Sequence, residues 1–252
     1  MLSARRKSFA VTPYPDPCVV KLPGEKVALL VLLISIALST LASTLAGALA
    51  LRLLGIGVLR VDLGVWAPKV RFAAAGCDFS LSPWMLSGSS IVKDVGNTHL
   101  YGDRPGKLFG SFGRPARALL ALVGPLAILA IACLFAGKEA FFAFGSGFEQ
   151  IVVGTLHPLS DAQAYLSAFE NLASESPVSA VGIAMAKFAA FTLLPVPPLA
   201  GGRALVELCR PRDSGHGRMV AVAQNIGILA WLFIAAMWLV AACRWVIDGG
   251  AI

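Results

Sequence analysis

Charge is scarce in this 252-residue chain: Asp, Glu, Lys and Arg together make up 14% of it, against about a quarter in a soluble domain. With 57% apolar residues and a mean hydropathy of +0.77, that scarcity excludes a water-soluble globular domain. What remains is a polytopic membrane protein, with lipid solvating most of its surface. Histidine is scarce too. No two of His99, His157 and His216 stand at helical ligand spacing, so they read as loop residues rather than metal ligands. The cysteines, Cys18, Cys77, Cys133, Cys209 and Cys243, form no CxxC pair, which excludes a thiolate zinc site and a disulfide framework. Cys133 and Cys243 lie in apolar runs and read as small packed hydrophobes. There is no inverted repeat and no pair of intramembrane charges of the kind a small transporter needs.

What is present is long apolar sequence. Stretches at about 27–54, 116–136, 178–194 and 219–246 approach or exceed the roughly 20 residues that cross a bilayer. The expected fold is therefore an all-α polytopic membrane protein of about four transmembrane helices, residues 27–252, preceded by an N-terminal tail, residues 1–26. The tail has a basic start (Arg5, Arg6, Lys7) and several prolines but no clear cleavage site, so it reads as retained. The net charge of +7 reads as cytoplasmic loop residues and contacts to anionic lipid, not as a nucleic-acid surface. Lys and Arg concentrate after the first and third spans, which puts those loops on the cytoplasmic side. A bacterial inner membrane is the expected location.

Residues 57–95 interrupt the helical pattern. Leu59, Val61, Leu63 and Val65 alternate with Arg60, Asp62 and Trp66, a period of two that predicts a half-buried strand. Gly76, Ser82-Pro83 and Ser87-Gly88 punctuate the rest into a small sheet at the membrane interface, a depth that suits Trp66 and Trp84. Between the second and third spans Ser160 stands where it can cap a helix with Tyr165, Leu166, Phe169 and Leu172 on one face and Asp161, Gln163 and Glu170 on the other, predicting helices that lie on the membrane surface.

The third span ends in TLLPVPPLAGG, Thr192 to Gly202. Three prolines stop a helix and free backbone carbonyls, which at bilayer depth must be satisfied by other protein or a wet cavity. The break carries no charged or metal-binding side chain. In the first span Ser35, Ser39, Ser43 and Gly47 recur at intervals of four, flanked by Ala42, Ala46 and Ala50. Such a face of small residues lets transmembrane backbones approach closely. Lys187 is a lone cation in the third span, where an ammonium is costly; it reads as snorkelling or as bonding carbonyls near the break. Gln224 and Asn225 read as interhelical glue.

Four blocks in order resemble the site-2 protease family of zinc-dependent intramembrane peptidases: STLAGALALRLLGIGV (Ser43 to Val58), LSPWMLSGSSIVK (Leu81 to Lys93), ALVGPLAILAI (Ala121 to Ile131) and TLLPVPPLAGG. They are similar, respectively, to that family's HExxH helix, its interfacial sheet, its Gly-Pro helix start and its NxxPxPxLDGG loop. The resemblance implies a zinc-peptidase fold, yet the ligand positions carry other residues. The two zinc histidines fall on Ser43 and Gly47, the catalytic glutamate on Thr44 and the third ligand on Ala200. The family's two asparagines fall on Thr192 and Ile128. Zinc hydrolysis needs three donor ligands, an open water position and a base, and Gly47 and Ala200 offer no donor atom.

The expectation is thus a site-2-protease-like protein without peptidase activity or cofactor, holding a transmembrane protein partner. Its candidate contacts are Ser39, Ser43, Gly47, Lys187, Pro195, Pro197, Pro198, Gly201 and Gly202. The alternative is an intramembrane peptidase with a non-standard site, in which Lys187 activates the hydroxyl of Ser43 or Thr44.

Overall fold

A computed structural model describes residues 24–65, 69–74, 76–92, 109–209 and 217–249. The first helix, α1 (Gly24–Leu53), covers the first predicted span. It ends where Gly55, with a φ of 74°, turns the chain into the sheet. Four strands follow: β1 (Val58–Val65), β2 (Val70–Ala74), β3 (Cys77–Leu81) and β4 (Trp84–Val92). They lie in the order β2-β3-β1-β4, with β1 parallel to β3 and antiparallel to β4. Leu59, Val61 and Leu63 are buried as the alternation predicts. On the other face Arg60 pairs with Asp62 at 2.7 Å. Gly76, with a φ of 76°, turns β2 into β3, and Ser82-Pro83 separates β3 from β4. Ser87-Gly88 does not end a strand as expected; it lies within β4, for a reason given below. Trp66 and Lys93 lie outside the described residues.

Beyond the sheet, the helices are α2 (Arg114–Ala136), α3 (Glu139–Leu156), α4 (Asp161–Glu175), α5 (Pro177–Thr192), α6 (Ala200–Cys209) and α7 (Gly217–Gly249). Gly124-Pro125, expected at a helix start, falls inside α2, which runs on through it. Among the described residues three helices, α1, α2 and α7, are long and apolar enough to cross a membrane, so the chain is a membrane protein. The expected third span is shorter. At 16 residues, α5 extends about 24 Å at 1.5 Å per residue, against about 30 Å of hydrocarbon. The proline sequence is what stops it.

The helical core is built on alanine. Met185, Ala186 and Ala189 of α5, Ile128 and Ala132 of α2, and Ala140 and Ala143 of α3 are buried together. At Gly182 the backbones nearly touch: a Cβ there would lie 2.8 Å from the Ala136 nitrogen and 2.9 Å from the Ala132 carbonyl oxygen. Lipid tails provide no hydrophobic drive between helices, so this close van der Waals packing is what holds them together.

Two expected surface helices are instead part of this assembly. Small residues of α3, Ala140, Ala143, Gly147 and Gly154, are buried, and a Cβ on Gly154 would sit 2.6 Å from Trp238 of α7. Helix α4 docks through its polar residues as well as its apolar ones. Gln163 Nε2 donates to the Ala241 carbonyl at 2.8 Å, and Trp245 Nε1 donates to Glu170 at 3.2 Å. Ser160 precedes α4 but makes no side-chain capping bond. Of the described cysteines, the buried one is Cys77, whose Sγ donates to the Val58 carbonyl; Cys133 is half-buried and Cys243 exposed.

Candidate functional site

The small-residue face of α1 changes character along its length. Ser35 is buried with its Oγ donating to the Val31 carbonyl at 2.7 Å. Ser39 is fully buried and its Oγ has no hydrogen-bond partner. One turn on, Ser43 Oγ donates to the Thr40 carbonyl at 3.1 Å. Its Cβ packs on α2, where a Cβ added to Gly124 would lie 3.2 Å from it. Thr44 is buried beneath β4: a Cβ on Gly88 would fall onto Thr44 Oγ1 and come within 3.3 Å of Thr40 Cγ2. Gly88 is therefore a strand-interior glycine that permits close approach of β4 to α1. At Gly47 the packing stops, since a Cβ there would meet no atom of the described residues within 4 Å.

The proline break folds into a tight turn that satisfies much of its own backbone. Leu193 N–H is shared between the carbonyls of Ala189 and Ala190, Leu194 N–H donates to the Phe191 carbonyl, and Thr192 Oγ1 donates to that of Ala189. Leu199 N–H donates to the Val196 carbonyl and Arg203 N–H to that of Leu199. The last-turn carbonyls of Ala189, Ala190 and Phe191 thus accept bonds within the turn itself. Gly201 and Gly202 carry α6 back across it. Added Cβ atoms would run into the Leu193 carbonyl and the Val196–Pro197 backbone respectively. Gly227 of α7 makes room for the far side of Pro197 in the same way. Pro195 and Pro198 remain exposed.

Helix α2 joins the two regions. Ser43 meets it at Gly124, and α6 is tied to it by an ion pair between Arg117 and Glu207 at 3.1 Å. Seven residues of helix separate those contacts, about 10 Å along its axis.

Lys187 sits elsewhere. It lines a half-open cavity of about 280 Å³ formed by α3, α4, α5, α7 and the start of α1. From α1 that lining takes Ala28 and Leu32, and neither Ser43 nor Thr44. Gln224 and Asn225 are exposed on α7; His157 is exposed at the end of α3, and His99 and His216 lie outside the described residues.

The sequence does not single out Gln150 or Gly147, and it offers Gly88 as a turn signal rather than as a packing contact. A signal for the first two was present in the spacing of Ala143, Gly147 and Gly154, which marks a packed face rather than a surface helix. At the positions where the resemblance places zinc ligands, Gly47 and Ala200 have no donor atom, and Ser43 donates to a carbonyl. Among the described residues no three His, Cys, Asp or Glu side chains lie together so as to hold a metal. These residues do not fit a zinc ion. Neither a protein-family model nor a curated protein sequence matches the chain.

Proposed function

We propose that this membrane protein is a non-proteolytic, site-2-protease-like scaffold that holds a transmembrane segment of a protein partner in a bacterial inner membrane. The observation that carries the reading is the open notch at Gly47. Ser39, Ser43 and Thr44 on the same helix are in contact with their neighbours, while the next small residue faces free space. A glycine on an exposed helix surface costs helix stability and gives nothing back unless another backbone approaches it. The four sequence blocks, and the short helix α5 ending in the proline turn, support the family likeness, with α5 as a fourth, shortened span. The lack of donor atoms at Gly47 and Ala200 supports the loss of zinc chemistry.

The test is affinity purification of the tagged full-length protein in mild detergent, followed by mass spectrometry. A stoichiometric integral membrane partner is expected, and Gly47→Leu should deplete it at least ten-fold without lowering the yield of folded protein. A wild-type preparation that carries no stoichiometric partner would sink the proposal, as would chelator-sensitive cleavage of a transmembrane peptide by the purified protein.

A further inference from the structure

The cavity around Lys187 is apolar on most of its wall, formed by residues such as Ile151, Leu166, Phe169 and Phe188. Three polar side chains interrupt it: Lys187, Gln150 and Tyr165. Among the described residues none of the three is satisfied by protein. Lys187 has no ion-pair or hydrogen-bond partner, Tyr165 has none, and Gln150 Oε1 is buried without one. The other polar groups on the wall are already engaged. Trp238 Nε1 donates to the Ile151 carbonyl at 3.3 Å, and Trp245 Nε1 donates to Glu170. Glu170 is held by that indole, and no described carboxylate lines the cavity. Lys187 is drawn against α3 because position 147 is glycine: a Cβ there would lie 3.5 Å from Lys187 Cα and 3.0 Å from Ala190 Cβ.

An ammonium held in an apolar wall without a counter-ion is costly. An anionic group entering from the ligand removes that cost. The apolar wall then asks for a hydrocarbon body behind the anion. Size narrows the choice further. A cavity of about 150 Å³ holds a six-carbon ring, so this one holds about a dozen non-hydrogen atoms. That is one headgroup with the upper part of one chain, and not two chains.

We propose that the cavity binds a single-chain anionic amphiphile of the long-chain carboxylate type. Its headgroup pairs with Lys187 and hydrogen-bonds to Gln150 and Tyr165, and its chain runs along the phenylalanine and tryptophan wall. The Gln150 amide can offer its N–H₂ to a carboxylate by flipping about its last bond. This site is separate from the Gly47 notch and stands or falls independently of partner binding.

Bromine on a fatty chain quenches nearby indoles, and Trp238 and Trp245 line the cavity. Full-length protein in lipid nanodiscs is therefore titrated with 8-bromooctanoate, whose whole length fits the cavity, and, in parallel, with uncharged 8-bromooctanol. The carboxylate is expected to reach half-quenching at a concentration at least ten-fold below that of the alcohol. Lys187→Met should abolish that preference, raising the carboxylate concentration ten-fold or more and leaving the alcohol unchanged. Lys138→Met, at an exposed turn, should leave both unchanged, and Ala235→Phe should weaken both by filling the cavity. Equal half-quenching of the wild type by the two probes would overturn the proposal whether or not the Lys187 variant folds. So would an equal shift in the Lys138 variant, which would mark general attraction to a basic protein.

Discussion

Glycine is used in opposite ways at the two regions that the sequence blocks single out. In the proline turn, Gly201, Gly202 and Gly227 are each pressed against backbone, and any side chain would collide with atoms that cannot move aside. On α1, Gly47 is pressed against nothing. The first set is explained by the fold alone, because the turn cannot close without them. Gly47 is not, since alanine would fit there and favour the helix. A residue that packing does not require is where interaction with something outside the chain is to be sought. That contrast separates the structural core of the likeness from its candidate contact surface.

The contrast breaks most visibly in the turn. Gly202→Ala places a methyl group onto the Val196–Pro197 backbone. Overpacking of this kind costs about 3 kcal/mol or more where no flexible side chain can yield. We expect loss of folded protein by size-exclusion chromatography in detergent; a normal melting temperature would show that the turn is looser than described. Gly88→Ala is intermediate, at about 2 kcal/mol, because the obstacle is the Thr44 side chain rather than backbone. Thr44→Ala should recover part of that loss in the double variant, a coupling that a thermal-melt cycle measures directly. Arg117→Ala removes the ion pair that ties α6, and with it the glycine turn, to α2. Both partners are mostly shielded from water, so about 1 kcal/mol of destabilisation is expected. It should be seen as a lower melting temperature, with the Gly47 phenotype unaffected.

Much of this was readable from residue order, and the exceptions have physical causes. The bounds of α1, α2 and α7 follow from apolar run length, because lipid imposes that length directly. The face of β1 follows from its alternation, since burial on one side fixes the period. The packing of α3 and α4 is not legible in the sequence, because amphipathicity says that a helix has a polar face, not what that face meets. Here the polar side of α4 is spent on α7, through Gln163 and the Glu170–Trp245 bond. Ser87-Gly88 reads as a turn in the sequence because glycine signals both turns and close approaches, and only the position of Thr44 separates the two. Of the candidate contacts, the sequence names Gly47 and the prolines, but not that the first is open and the turn closed. Lys187 stands out as an intramembrane cation, whereas Gln150 and Tyr165 do not, because the cavity that joins them is assembled from five helices and no local pattern places the three side chains together.

The smallest expected effect on stability is the most informative. At Gly47 a methyl group enters empty space, and replacing an unstrained helical glycine by alanine gains about 0.5 kcal/mol or slightly more through reduced backbone freedom in the unfolded chain. Gly47→Ala should therefore melt at the same temperature as the wild type or marginally above it. The same methyl group, if a partner helix packs its backbone over the notch, holds the two helices apart and weakens their van der Waals contact. Folded yield and partner recovery are then expected to move in opposite directions, a little up for the first and clearly down for the second. Gly47→Leu should widen the gap between the two readouts. If both fall together, Gly47 belongs with Gly202 and its space is filled within the chain. Unchanged recovery in both variants would place the contact surface elsewhere on the molecule.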